Sequence, residues 1–120
     1  MDSHLKEDKP IFQQIAEVVE TSILDGSIKE GDKIPSTNEF AKHYQINPAT
    51  AAKGINQLVD QEIIYKKRGI GMFVSIGAKD IILAKRKKDF FIDYIVPLKN
   101  EANKLGLSCE EIIDLLQKGD

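Results

Sequence analysis

A chain of 120 residues bounds the molecule to one compact domain, or one small domain with an appendage. Its 17 basic and 19 acidic residues leave a net charge of -2, which excludes a polybasic nucleic-acid binder; any anionic partner must be met by local charge. The single cysteine, Cys109, excludes an intramolecular disulfide, the opening MDSHLKEDKP does not read as a secretion signal, and no apolar run approaches the roughly 18 residues of a membrane span, so a cytoplasmic protein with no membrane partner is expected.

Residues 1–9 read as a flexible N-terminal arm. From Pro10 a helical pattern places Ile11, Phe12, Ile15, Val18, Val19 and Ile23 on one buried stripe, and Asp25-Gly26 ends it with an easy left-handed terminus. In the following loop Gly31-Asp32 signals a turn, and Lys33-Ile34 is expected to be a short extended piece before Pro35. Ser36 and Glu39 then have capping-box spacing and predict a helix that buries Phe40, Ala41 and Tyr44.

Only Gln45-Ile46 separates this helix from Asn47-Pro48. The asparagine oxygen can cap free N–H groups there, and proline, lacking an N–H, fits the first helical position. Two helices so joined have helix-turn-helix spacing, which generic helical hairpins share. On a 3.6-residue wheel Ala51, Gly54, Ile55 and Leu58 face a core. Ala49, Ala52, Lys53, Asn56 and Asp60 face out, with Thr50 and Gln57 at the margin. The outward set is short through Asn56, so the helix backbone can approach a major groove closely; an ordinary solvated face is the competing reading.

The next segments, EIIYKKRG and GMFVSIG, predict a two-strand wing with Lys66, Lys67, Arg68 and Gly69 near its tip. Glycines there allow close backbone approach, and the cations can neutralise phosphates or enter a minor groove, although charged hairpin tips also serve solubility alone. Between Ser36 and Gly71, five bases stand against Glu39, Asp60 and Glu62. This head is locally positive.

Beyond residue 78, positions 81, 84, 88, 91, 95, 98, 102 and 105 alternate three and four apart, and all but Lys88 are apolar. They predict a helix of about 28 residues, roughly 42 Å long, with a kink or break at Pro97, which removes the hydrogen bond to Asp93. Gly106 ends it. Ser108 and Glu111 form a second capping box for a last helix burying Ile112, Leu115 and Leu116. The remaining tail is too short to cover such a stripe, so a homodimer seam through Ile81, Ala84, Phe91, Ile95, Leu98, Leu105, Ile112, Leu115 and Leu116 is expected in preference to an intrachain hairpin. The cluster Lys85, Arg86, Lys87, Lys88 extends around more than half the helix and reads as a solvated face or a weak phosphate-facing surface.

Enzymatic chemistry finds no constellation. His4 and His43 stand apart, no Cys-x-x-Cys or His-x-x-x-His pair offers a metal site, and Cys109 stands beside Glu110 and Glu111 without a partner base. The Gly-Ile-Gly tip lacks the strand-to-helix context of a phosphate loop. No cofactor or metal is expected, and the residues name no small-molecule effector.

Together these elements describe a mainly α protein with a small β wing: a winged helix-turn-helix domain over 10–77, followed by a two-helix dimerisation segment over 78–120. The phrases PIFQQIAEVVETSILDGSIKEGDKIPS, INPATAAKGINQL and RGIGMFV closely resemble the N-terminal domain of GntR-family bacterial transcription regulators, and the short tail resembles the YtrA subfamily. That resemblance implies double-stranded DNA as partner, dimerisation through the tail, and often control of a transporter operon. It carries over Ser36, Thr50, Lys53, Gly69 and Gly71 as DNA-contacting positions. This chain departs from the family pattern where Asn38 and Ala52 stand in place of arginines and Ala49 in place of an asparagine, implying modest affinity or heavier reliance on methyl contacts to thymine. The full candidate DNA-binding set is Ser36, Thr37, Asn38, Asn47, Ala49, Thr50, Ala52, Lys53, Asn56, Lys66, Lys67, Arg68, Gly69 and Gly71. The expected function is a dimeric repressor acting on a palindromic operator; the alternative is a winged-helix adaptor for a protein partner without specific DNA binding.

Overall fold

Pro10 adopts φ -54°, ψ 138° and opens α1 (Ile11–Leu24), whose residues Ile15, Val19 and Ile23 are buried at the helical period. Asp25 closes the helix, Gly26 follows at φ 86°, and the Asp25 carboxylate accepts hydrogen bonds from the backbone and hydroxyl of Ser27. A computed structural model describes residues 5 and 8–118 of the chain. Of the arm expected over 1–9, residues 1–4, 6 and 7, including His4, lie outside the described residues; Leu5 packs partly buried against the core, and Lys9 pairs with Glu17 at 3.3 Å.

The remaining head elements are β1 (Lys33–Ile34), α2 (Thr37–Tyr44), α3 (Pro48–Asp60), β2 (Ile64–Lys67) and β3 (Gly71–Val74). The Ser36 capping box is formed in both directions, and α2 buries Phe40, Ala41 and Tyr44. Gln45 turns the chain in the left-handed region at φ 56°, and Asn47 caps α3 by accepting the Ala49 N–H at 2.8 Å. The buried face of α3 is Ala51, Gly54, Ile55 and Leu58.

The wing is larger than a two-strand hairpin. Lys33-Ile34 pairs antiparallel with β3, making a three-stranded sheet in the order β1-β3-β2, with Lys33 opposite Phe73 and Ile34 opposite Met72. Backbone bonds from Gly31 to the Val74 carbonyl and from Val74 to the Asp32 carbonyl continue the ladder. A two-residue strand has no periodicity of its own, and its pairing is fixed by partners some forty residues away. On one face of β3, Met72 and Val74 enter the core; on the other, Phe73 stacks on Tyr65 at 5.6 Å.

The first of two compact units runs through Leu83 and includes the opening of α4 (Ala78–Phe90), whose Ala78 and Ile82 belong to the head core. Glu30 holds that opening in place: its carboxylate accepts the N–H groups of Gly77 and Lys79 at 3.0 and 3.1 Å, satisfying donors that a helix start leaves free.

The second unit begins at Ala84. It contains the rest of α4, a π-helical turn (Phe91–Ile95), α5 (Val96–Leu105) and α6 (Cys109–Gln117). Pro97 therefore does not break the long helix, which continues through the π turn. The chain winds one residue wider just before it, the Val96 N–H reaching back to the Phe91 carbonyl, which accommodates a ring that lacks a donor and crowds the preceding turn. Gly106 ends α5 at φ 69°, and the Leu107 N–H bonds to the Ala102 carbonyl. The Ser108–Glu111 capping box opens α6.

Candidate nucleic-acid interface

The outward face of α3 is built from small and polar groups. Ala49, Ala52, Lys53, Asn56, Gln57 and Asp60 line a shallow depression together with one residue from another helix, Phe12 of α1. The Lys53 ammonium lies 4.1 Å from the centroid of the Phe12 ring. Such a cation–π contact at an exposed site is worth only about 0.5–1 kcal/mol, so it orders the lysine without preventing transfer to a phosphate. Thr50 is half-buried at the margin of this face, and Asn47 is committed to the cap.

The wing meets the same face. Lys66 donates from Nζ to Oδ1 of Asn56 at 2.8 Å, tying β2 to the penultimate turn of α3. Further out, Lys67 lies over Phe73 at 5.4 Å, Arg68 and Gly69 form the exposed tip, and the Ile70 N–H closes the turn on the Lys67 carbonyl. Ile70 itself is 60% exposed between two glycines, an apolar side chain at the end of a charged hairpin.

A second depression joins the start of α2 to the wing: Ser36, Thr37 and Asn38 line it with Lys33, Ile70 and Gly71. Gly71 is favoured here by its backbone, whose φ is 145°; a Cβ would also lie 2.6 Å from Cε of Lys33, but that flexible, exposed side chain can move aside. Glu39 sits beside this region with its carboxyl held below the usual carboxylate range by the Ser36 N–H, then by the Ser36 hydroxyl; bound into the cap, it is oriented toward its own helix start. The structure thus gathers Ala49, Ala52, Lys53, Asn56 and Lys66 around α3, and Ser36, Thr37, Asn38 and Gly71 between the start of α2 and the wing.

Phe12, Lys33 and Ile70 are absent from the sequence-derived set. The spacing of α1 puts Phe12 on its buried stripe, where it is half-buried and faces Lys53; Lys33 reaches Gly71 only through the β1–β3 pairing. Only Ile70 carried a local signal, an apolar residue between two tip glycines.

In the C-terminal unit, Phe91, Leu98, Leu105, Leu115 and Leu116 are exposed, from 38% to 73%, and Ile95 and Ile112 are half-buried. Ile81, by contrast, packs partly buried against the head core beside the fully buried Ile82, and Ala84 is exposed. Lys85 and Arg86 are half-buried, while Lys87 and Lys88 are exposed. Among the described residues no group of three or more His, Cys, Asp or Glu is placed to hold a metal ion, no helix is long and apolar enough to cross a membrane, and Cys109 is an exposed thiol.

A helix-turn-helix whose second helix is flanked by a basic antiparallel hairpin defines a winged helix-turn-helix DNA-binding protein. Residues 11–74 match the bacterial regulatory proteins of the gntR family, and the chain belongs to that family of DNA-binding transcription regulators. It is 30% identical over 109 residues to the HTH-type transcriptional repressor YtrA of Bacillus subtilis (strain 168), covering 91% of this chain and 83% of YtrA. An overlap that long necessarily takes in much of the C-terminal helices. The crystal structure of a GntR-family transcriptional regulator from Bacteroides thetaiotaomicron superposes with a TM-score of 0.79 at 36% identity, covering 90% of this chain and 94% of that one. The DNA-binding domain of AraR, solved in complex with the operator ORX1, matches at 32% identity with a TM-score of 0.55, over 62% of this chain and 92% of that domain.

Proposed function

We propose that the protein is a dimeric, cytoplasmic repressor that reads a palindromic operator in double-stranded DNA. In this reading residues 10–77 are the reading head and residues 78–120 the dimerisation region. The observation that carries it is the joint face of α3 and the wing, where short side chains leave the helix backbone accessible and Lys53, Asn56 and Lys66 stand together at its surface. An α-helix with such a face fits a major groove, and the wing cations are then beside flanking phosphates or the minor groove. Ser36, Thr37 and Asn38 at the capped start of α2 present polar groups to the backbone, and Ala49 and Ala52 offer methyl contacts to thymine. The solved AraR–operator complex supports double-stranded DNA as the partner, and similarity to YtrA supports repression.

Dimerisation rests on the second unit. Ala102 is the one apolar residue buried to within 5% exposure among the described residues beyond Ala84, whereas Phe91, Leu98, Leu105, Leu115 and Leu116 remain open. Large apolar side chains concentrated this way are stable in water when another surface covers them. A second copy provides that cover and doubles the reading helix.

Two-fold symmetry makes the operator an inverted repeat with half-sites about 10 bp apart, or a multiple of that. Selection of bound fragments from a random duplex library, followed by sequencing, tests this directly. An enriched inverted repeat at such a spacing is expected; enrichment of a single asymmetric half-site by a monomer in sedimentation would overturn the dimeric reading.

A further inference from the structure

Asn56 is exposed on the face of α3 and close to the wing, and its bond to Lys66 is unusual for a base-reading asparagine. The orientation of a side-chain amide is ordinarily ambiguous, because oxygen and nitrogen look alike. Here the partner settles it chemically. An ammonium has three donors and no acceptor, so the atom that faces Lys66 Nζ at 2.8 Å must be the carbonyl oxygen. The Nδ2 amino group is wholly free for a ligand, the oxygen keeps one lone pair beside a positive charge, and next to them stand the further N–H bonds of the lysine.

This matters because asparagine recognises adenine by using both ends at once, its oxygen accepting from the N6 amino group while its nitrogen donates to N7. With Lys66 donating to the oxygen, an adenine N6 amino group would bring a second donor toward the same acceptor and toward a positive charge. Guanine presents the complementary edge: N7 and O6 are adjacent acceptors, suited to two neighbouring donors. Resting on the proposed DNA-reading function, we infer that Lys66 sets the base specificity of Asn56, the pair acting as a donor–donor reader of guanine in each half-site. Lys66 then contacts the base itself and also orients the Asn56 amide.

The test compares motifs selected from a random duplex library by the wild type, Lys66→Met, Asn56→Ala and Lys67→Met. Lys67 carries the same charge on the same strand but lies over Phe73, so its variant controls for loss of a cation. The wild type is expected to prefer guanine at one position per half-site by on the order of tenfold to a hundredfold. Lys66→Met should move that position toward adenine, and Asn56→Ala should erase its preference. Lys67→Met should weaken binding to all sequences alike. A guanine preference that survives Lys66→Met unchanged, or a shift that Lys67→Met reproduces, overturns the inference while leaving DNA reading intact. Absence of any wild-type motif would instead overturn the DNA-reading function on which it rests.

Discussion

Gly54 sets the spacing between α1 and the reading helix, and adding a single methyl group there tests the packing of the head. A Cβ at position 54 would lie 2.4 Å from the Phe12 carbonyl oxygen and 3.2 Å from Cβ of Ile15. The oxygen belongs to a helix backbone, so α1 must retreat by at least about 0.6 Å before the contact reaches 3.0 Å, a distance that real Cβ atoms essentially never undercut. Helix propensity acts in the opposite direction, since alanine is favoured over glycine inside a helix by about 1 kcal/mol. Overpacking of a well-packed core costs about 1–3 kcal/mol, and a clash with backbone belongs at the upper end, leaving Gly54→Ala less stable by about 1–2 kcal/mol. Urea denaturation followed by circular dichroism should show a lower midpoint with an unchanged slope. A variant as stable as the wild type, or more stable, would refute the argument, because it would mean that the helices have room at this crossing and only propensity was felt.

Three further outcomes follow from the same geometry. Lys53→Ala should weaken operator binding and flatten its salt dependence by up to about one unit of slope in a plot of log affinity against log salt, since the Phe12 contact is too weak to withhold the lysine from a phosphate; unchanged affinity and slope would remove Lys53 from the interface. Phe91→Glu should convert the dimer to monomer in analytical ultracentrifugation and reduce operator binding by far more than one lost contact, through loss of the two-site linkage; a full-affinity dimer would place the seam elsewhere. Acid stability should be governed partly by capping carboxylates. Glu30 is held below its ordinary value of 4.5 by the Gly77 and then the Lys79 N–H, and Glu39 and Glu111 are lowered by Ser36 and Ser108 in their capping boxes. A depressed folded pKa stabilises fully above the unfolded value and the contribution is lost as pH falls through the folded one, so these carboxylates should cost nothing between neutrality and about pH 5 and destabilise progressively below it. Glu30→Gln should show a shallower acid decline than the wild type in denaturation series; an identical decline would remove the α4 cap from the account.

The parts of the fold that follow from local chemistry were legible in the sequence. Ser36 with Glu39, Asn47 with Pro48, and Ser108 with Glu111 each specify a helix start within four residues, and the periodicity of Ala51, Ile55 and Leu58 assigns the buried face of α3. What was not legible depends on residues far apart in the chain. The pairing of Lys33-Ile34 with β3, the Glu30 cap on α4, and the bonds Lys53–Phe12 and Lys66–Asn56 all join segments whose approach is set by tertiary packing. Pro97 signalled a disturbance without its form, because a kink, a break and a π turn all relieve the same missing N–H. Spacing alone puts Ile81 on the helical stripe, whereas the head core takes in its neighbour Ile82 fully and has Ile81 packed partly buried against it.

In the proposed function the α3 and wing surface recognises a particular duplex. Fluorescence anisotropy with the library-selected duplex and a scrambled duplex of equal length and composition, across a salt series, measures it most directly. A preference of roughly a thousandfold or more, on a steep salt dependence common to both duplexes, is the predicted result. Equal and weak binding to the two duplexes at every salt concentration would contradict the claim and favour a head that docks on a protein instead.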